Sequence, residues 1–550
     1  MFLRQINLRK EGREYTYLKV VENTWEGGRT QQKTLVNFGN VGGWPKERLE
    51  EVVNLLTKFL ASDMVLFSRI TLDRCRQLGP YLPLSALWDR VGLDEIIEKA
   101  LVARKADDRV TQCAKAIVLT RLVSPCSKRA LSESLSRDIE IPGVSSDVLP
   151  LQSYYRTLEY LADAKSEIEK GVHARLKHLF NQDVSLVFYD LTSSYFEGKC
   201  CALAKRGYSR EHRPDLLQIE IGLLVDGEGT PIGHEVFDGN VKDVRTVLGT
   251  LDRLKEEFGV RRCVFVSDDG MASEANLGEI EQRGYEYITS LSLGKSVIGQ
   301  ELARTCRPHK SWQKVSDNLW LEPLAKQGEV RYIGSYNPER AASTWEHRKA
   351  RLADCIEYLR SVERERKRRG PKRTVDDRIM AADRFLRRKG CRRLIHLERG
   401  EEGALVWKLD RDALRRERRT DGLLILKTNS KTLSDEEVAK GYRMLWRVED
   451  AFRHIKSPIQ LRPIRHWSDP RVLGHVFICV LAYTLERLYE QELEKAGLAL
   501  SARSALDELG QIMVVTLEAN GRQLRRRTEI SPRQRQLLSA AGVKEVPELW

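Results

Sequence analysis

The spacing of hydrophobic and polar positions changes several times along this chain, and each change marks a segment. Over residues 1–65, EYTYLKVVENTW alternates and GGRTQQKTLVNFGN resumes the alternation after a Gly-Gly turn, so a small β-containing module is predicted, closed by a helix over Lys46–Leu60. Over 66–180, LSALWDRVGLDEIIEKAL, AKAIVLTRLV and TLEYLADAKSEIEKGVHARLKHLF place apolar residues three and four apart, the helical period. The basic loops of this region (Arg109, Lys115, Lys128, Arg129) suit a helix-turn-helix grip on DNA, and equally a scaffold with a solvated face. Over 181–300 the strand-type runs SLVFYDL, LLQIEIGLLVD and TPIGHEVFDG precede a helix (about 242–258), the strand CVFVSD, a helix (about 272–283) and the strand YEYITS. The order β-β-β-α-β-α-β predicts a mixed sheet covered by helices, an α/β fold.

Residues 301–430 break this rhythm with LWLEPLAK, GEVRYIGSYN and LIHLERGEEGALVWKLD, which predict a β-rich insertion containing one long charged helical stretch. In 431–500, Ser434 and Glu437 form a capping-box pattern for a helix running to Pro458, and a more apolar helix covers about 469–496. Residues 501–550 are amphipathic and basic, and a helical tail is expected there. The best apolar run, VFICVLAYTL, is too short to span a bilayer. The N-terminus lacks the apolar stretch of a secretory signal, and the ten cysteines contain no C-x-x-C pair, so a cytoplasmic chain without a disulfide framework or zinc knuckle is expected, with no membrane partner.

Charge sharpens the picture. The chain has 550 residues and a net charge of +14, which favours a polyanionic partner. Thr344–Thr420 holds 25 Lys and Arg against 14 Asp and Glu, an excess of eleven. Its densest part, RERKRRGPKR, offers Arg366, Lys367, Arg368, Arg369, Lys372 and Arg373 to nucleic-acid phosphates.

Three carboxylates occupy positions where a mixed sheet can gather them. Asp190 ends the apolar run VFYD, Asp268 closes CVFVSD, and Glu449 lies within WRVEDAF. Side chains at strand ends sit where open sheets place their ligands, and two or three oxygen donors suffice for a hard divalent cation. Such a pair of ions, about 4 Å apart, can activate a nucleophile and stabilise the leaving oxygen of a phosphoryl displacement. Tyr442, Glu449 and Lys456 are seven apart, so one continuous helix would carry all three on one face with Arg453, placing cations beside a carboxylate.

YDLTSSYFEG, RGYSREHRPDLLQIEIGLLVDGEGTPIGHEVFDGN, VFVSDDGMASEANL and YRMLWRVEDAFRHIKSPIQLRPIRHW, taken in order over about 185–485, resemble the insertion-sequence DDE transposases, the bacterial cut-and-paste group with a β-strand insertion and a Tyr-Arg-Glu-Lys helix signature. The resemblance implies a ribonuclease H-like catalytic core with Asp190, Asp268 and Glu449 as catalytic metal ligands. It also implies two Mg²⁺ ions (Mn²⁺ substituting), cleavage at the element's ends, and joining of the freed 3′-hydroxyls to target DNA. Double-stranded DNA is the implied partner, with a homodimer in the DNA complex at the bacterial nucleoid. Tyr442 and Lys456 match the signature tyrosine and lysine; the signature arginine falls at Leu445, a departure that leaves Arg443 or Arg447 as substitutes. Asp269 offers an alternative register for the second aspartate. His212 in the loop REHRPD, and Trp320 and Trp345 in the insertion, are secondary candidates for ordering a loop or stacking a base. The competing readings are a catalytically silent DNA-binding protein of the same fold, a metal-dependent nuclease without strand transfer, and a carboxylate-pair glycosidase, which the basic charge disfavours.

Overall fold

The computed structural model describes the chain except for residues 1, 27–28, 60–70, 105, 108, 146–148, 181–185, 198–200, 208, 211–212, 242–245, 261–262, 269, 271, 295, 307–311, 367–373, 402–403, 520–521 and 549–550. It forms two compact units. The first comprises Met1–Arg76, Met513–Glu529 and Val546–Trp550. In it, β1 (Phe2–Lys10), β2 (Arg13–Glu26) and β3 (Arg29–Asn40) make an antiparallel sheet, followed by the helix Lys46–Phe59. β4 (Thr71–Gln77) joins the hairpin Met513–Ala519 and Arg522–Arg527 in a second three-stranded sheet. The C-terminal segment is therefore no wholly helical tail. In MVVTLEA the buried Val514 and Thr516 alternate with half-buried neighbours, a period of two that β-branched residues favour as strand.

The second unit, Gln77–Ile512 with Ile530–Glu545, contains the expected core. β5 (Leu186–Tyr195), β6 (Gln218–Val225) and β7 (Pro231–Asp238) form an antiparallel meander. β8 (Val264–Ser267) lies parallel to β5, and β9 (Glu286–Leu291) parallel to β8. Every residue of β6 and β8 is buried, as in strands covered on both faces, the polar Gln218, Glu220 and Ser267 included.

β10 (Gln313–Ser316), β11 (Leu319–Gln327) and β12 (Val330–Tyr336) do not stand apart as an insertion. They extend the same sheet, bridged to β9 by a strand that follows a mainly helical body. That body holds the helices Pro338–Arg366, Val375–Arg388 and Arg411–Arg419, with one hairpin of β13 (Ile395–Arg399) and β14 (Leu405–Leu409). The bridging strand is β15 (Leu423–Thr428), and the nine-stranded order is β10-β11-β12-β15-β9-β8-β5-β6-β7. The β content expected over 301–430 thus divides between the main sheet and a single hairpin. The strands of the main sheet read as a separate body because their pairing partners lie far away in sequence.

Helices cover the sheet. Val187, Tyr189 and Leu191 of β5 and Phe265 of β8 pack with Leu251 and Leu254 of the helix Val247–Glu256 and Leu277 and Ile280 of the helix Glu274–Gln282. The helix Trp446–Lys456 lies against β5 and β6, and the helix Asp469–Lys495 against β7 and the helices Arg109–Val123 and Leu151–Asp163. Asp469–Lys495 is long and apolar enough to cross a membrane by length and composition, but most of it is buried inside the fold, as a core helix. Gly474 makes one crossing possible: a Cβ there would stand 2.1 Å from the Leu158 carbonyl oxygen.

Candidate active site

Strand geometry decides where the first two carboxylates point. Because Val187, Tyr189 and Leu191 face the cluster beneath one side of the sheet, Asp190 projects from the other. Phe188 is paired with Val266 across the parallel β5–β8 ladder, and two residues further along the register brings Asp190 level with Asp268. Phe265 faces the same cluster, so Asp268, three positions on, shares the side of Asp190. Neighbouring strands lie about 4.8 Å apart, which makes the two aspartates neighbours. The Thr289 hydroxyl of β9 donates to the Asp268 carbonyl at 3.2 Å and the Gly270 amide to its carboxylate at 3.0 Å, fixing the turn.

The third carboxylate arrives on the helix Trp446–Lys456. Its Val448, Ala451, Phe452 and Ile455 are buried on that side of the sheet, and Glu449 stands in its first turn. Asp190 registers the convergence. Burial first, and then the charges of Asp268 and Glu449, push its carboxyl up to about 7, against the Leu191 amide, which donates at 2.7 Å, and Arg210. Asp268 and Glu449 are exposed and Asp190 is recessed between them, so the group opens to solvent.

Three oxygen donors of one sign, one of them driven towards protonation by burial and by the other two, suit a hard divalent cation that would relieve their repulsion. Among the described residues, no three His, Cys, Asp or Glu side chains stand as a ready-made metal cage.

The remaining sequence candidates separate. The seven-residue stripe is interrupted, because the single helix expected over 434–458 is two, Asp435–Arg443 and Trp446–Lys456. At the break, the amides of Leu445, Arg447 and Val448 bond to the carbonyls of Tyr442, Met444 and Leu445, a tighter three-residue winding that shifts the phase of everything after it. Tyr442 and Glu449 still meet, lining a cavity of about 360 Å³ with Ser335, Asn337 and Leu445. Arg453 is exposed and pairs with Asp450 on its own helix. Lys456 is drawn inward: burial lowers its ammonium to about 8, Arg210 lowers it, and Glu220 and Asp190 raise it. The Ser434–Glu437 capping box is present. Trp320 packs into an apolar cluster with Trp312, Tyr336 and Leu423, a core role, while Trp345 lies under the Arg418 guanidinium at 4.6 Å. Lys367, Arg368, Arg369, Lys372 and Arg373, with Asp269 and His212, lie outside the described residues, as does the side chain of Arg366.

Two site neighbours escape a reading of the sequence. Arg210 and Glu220 pair at 2.8 Å beside Lys456 and Asp190. The available signal is Glu220 itself, a carboxylate inside the apolar strand QIEIGLLV.

The site thus sits on a meander followed by two parallel strands: Asp190 lies in the middle of β5 and not at the strand end that the apolar run VFYD predicts, because the strand continues through LTSSY, while Asp268 directly follows β8 and Glu449 stands on a packed helix. The profile of the family described as transposase DDE domain matches residues 185–485, more than half of the chain, and that of the IS1634 family transposase N-terminal domain matches residues 3–63. The chain belongs to the transposase DDE domain family and is an insertion-sequence DDE transposase. No curated protein matches it. Among solved structures, the cryo-EM structure of a piggyBac transposase synaptic complex with hairpin DNA is similar at 11% identity and a TM-score of 0.39, over 78% of this chain and 80% of that one.

Proposed function

We propose that the chain cleaves phosphodiesters at the ends of an insertion sequence and joins the 3′-hydroxyls to target DNA, with Asp190, Asp268 and Glu449 holding two Mg²⁺ ions, for which Mn²⁺ substitutes. The observation that carries this reading is the parallel β5–β8 register that sets Asp190 level with Asp268, with Glu449 near enough for its charge to act on Asp190. Ions held there supply Lewis-acid activation of the attacking oxygen and neutralise the leaving one. Lys456 and Arg210, beside Asp190, offer positive charge to the phosphoryl group as negative charge builds on it. Tyr442, in the cavity that Glu449 lines, orients the DNA end; Arg453 and the 366–373 cluster hold backbone phosphates. The partner is double-stranded DNA, bound by a homodimer that pairs two ends in the bacterial cytoplasm, at the nucleoid.

Purified protein with Mg²⁺ and duplexes carrying the ends of its own element tests this. Wild type is expected to cut the ends and join them to target. Asp190→Asn, Asp268→Asn and Glu449→Gln should each lose about 10²–10³-fold or more of the cleavage rate with DNA binding retained. Binding without cleavage in both Mg²⁺ and Mn²⁺ would leave a silent DNA-binding protein, and cleavage without joined product a nuclease.

A further inference from the structure

Away from the carboxylates, a cavity of about 530 Å³ opens between the segment Gln460–Trp467 and the start of the helix Lys128–Arg137. Arg121, Lys128, Arg462, Arg465 and Arg471 line it with His466 and His475, and no lining residue is acidic. Two of these arginines have partners outside the cavity: Arg465 pairs with Glu197 at 3.1 Å and Arg471 with Glu159 at 2.7 Å. Lys128 differs. Only 4% of it is exposed, and its Nζ has no hydrogen-bond partner among the described residues. A buried amine without an acceptor is costly, and an anion bound beside it would supply the missing partner and restore its charge.

The helix adds a second, independent attraction. Ser127 caps Lys128–Arg137 by accepting from the Ala130 amide, so the positive end of a ten-residue helix faces the same cavity. The surrounding cations act on their neighbours: burial lowers Lys128 to about 7, helped by Arg121, and burial lowers His466 to about 3, helped by Lys128 and Arg121. An anion seated here would relieve that repulsion.

We infer that this cavity is a phosphate-binding site for the DNA backbone, separate from the carboxylate centre, with Lys128 and the N-terminus of its helix as the anion seat. It rests on the proposed action of this chain on DNA. Its position fits. Ile464 is hydrogen-bonded to Tyr195 at the end of β5, and Phe196 is bridged to Ile464, so the cavity wall is tied to the strand that bears Asp190. Tyr195 lies about five residues of strand beyond Asp190, about 17 Å, or about five base steps along a duplex.

The test is the salt dependence of binding to end duplexes with and without a 5′-phosphate, for wild type, Lys128→Met and Arg465→Gln, with folding checked by circular dichroism. Removing one cation that neutralises a phosphate should lower the slope of log K against log salt by about 0.9 and weaken binding at every sequence. A weakening confined to 5′-phosphorylated duplexes assigns the seat to a terminal phosphate; an equal weakening on both assigns it to an internal diester. If Lys128→Met does not fold, the exposed Arg465→Gln decides. Wild-type slopes in the folded variants overturn the site while leaving the transposase reading intact. Failure of the wild type to bind end DNA would instead overturn that reading.

Discussion

The strand placement of Asp190 and Asp268 was legible in the sequence because each follows an apolar run, although β5 continues past Asp190, and the helical placement of Glu449 was legible from Val448, Phe452 and Ile455 at four and three spacing. Arg210 and Glu220 were not, since their pairing joins a loop to a strand that no local pattern links. The same is true of Glu169, whose carboxylate is buried among Lys165, His234 and Arg253 at 3.4, 2.7 and 2.6 Å. Burial alone would raise its pKa, but those three partners overcome it and hold the carboxyl far below the usual range. A depressed carboxylate contributes stability that is complete above the ordinary carboxylate pKa and is lost as pH falls towards the folded value. The wild type should therefore lose stability on acidification below about pH 5. Glu169→Gln should be less stable at pH 7 by about 3–5 kcal/mol with a flatter acid limb, read from urea midpoints across pH. An unchanged midpoint at pH 7 would remove this cluster from the stability of the core.

Among elements, the core order β-β-β-α-β-α-β was readable because each strand is a short apolar run and each helix an amphipathic one. Two features were not. The break at Met444–Leu445 has no Gly or Pro at it to announce it, so heptad counting runs one continuous helix from Tyr442 to Lys456 where the chain forms two. The placement of β10–β12 in the main sheet depends on β15, and that long-range pairing has no local signature. The crossing of Asp469–Lys495 over Leu151–Asp163 is equally silent, although its requirement is plain. Gly474→Ala would drive a Cβ into the Leu158 backbone, and a destabilisation of about 1–3 kcal/mol is expected, measurable as a lowered Tm. Ala at Gly278, whose Cβ would meet nothing within 4 Å, is the control and should be neutral or slightly stabilising, because alanine favours helix over glycine.

For the whole molecule, the charge of +14 is the property that sequence alone conveys most directly, and most of it sits in one stretch. Replacing Arg366, Lys367, Arg368, Arg369, Lys372 and Arg373 by Gln should lower the salt slope of DNA binding by up to about 5, at about 0.9 per phosphate neutralised. A slope equal to that of the wild type would assign the cluster to solvent or protein contacts. Mass measurement should find two chains per complex when paired end duplexes are present; a single chain on a complex competent to join ends would contradict dimeric pairing. The central claim, that three carboxylates far apart in sequence form one metal site, is tested most directly by Mn²⁺ binding followed by electron paramagnetic resonance on the full chain with end DNA. Wild type should bind Mn²⁺, and Asp190→Asn, Asp268→Asn and Glu449→Gln should each weaken it by at least about tenfold, as expected when a hard cation loses one of few anionic oxygen ligands. Wild-type Mn²⁺ affinity in all three variants would contradict the account.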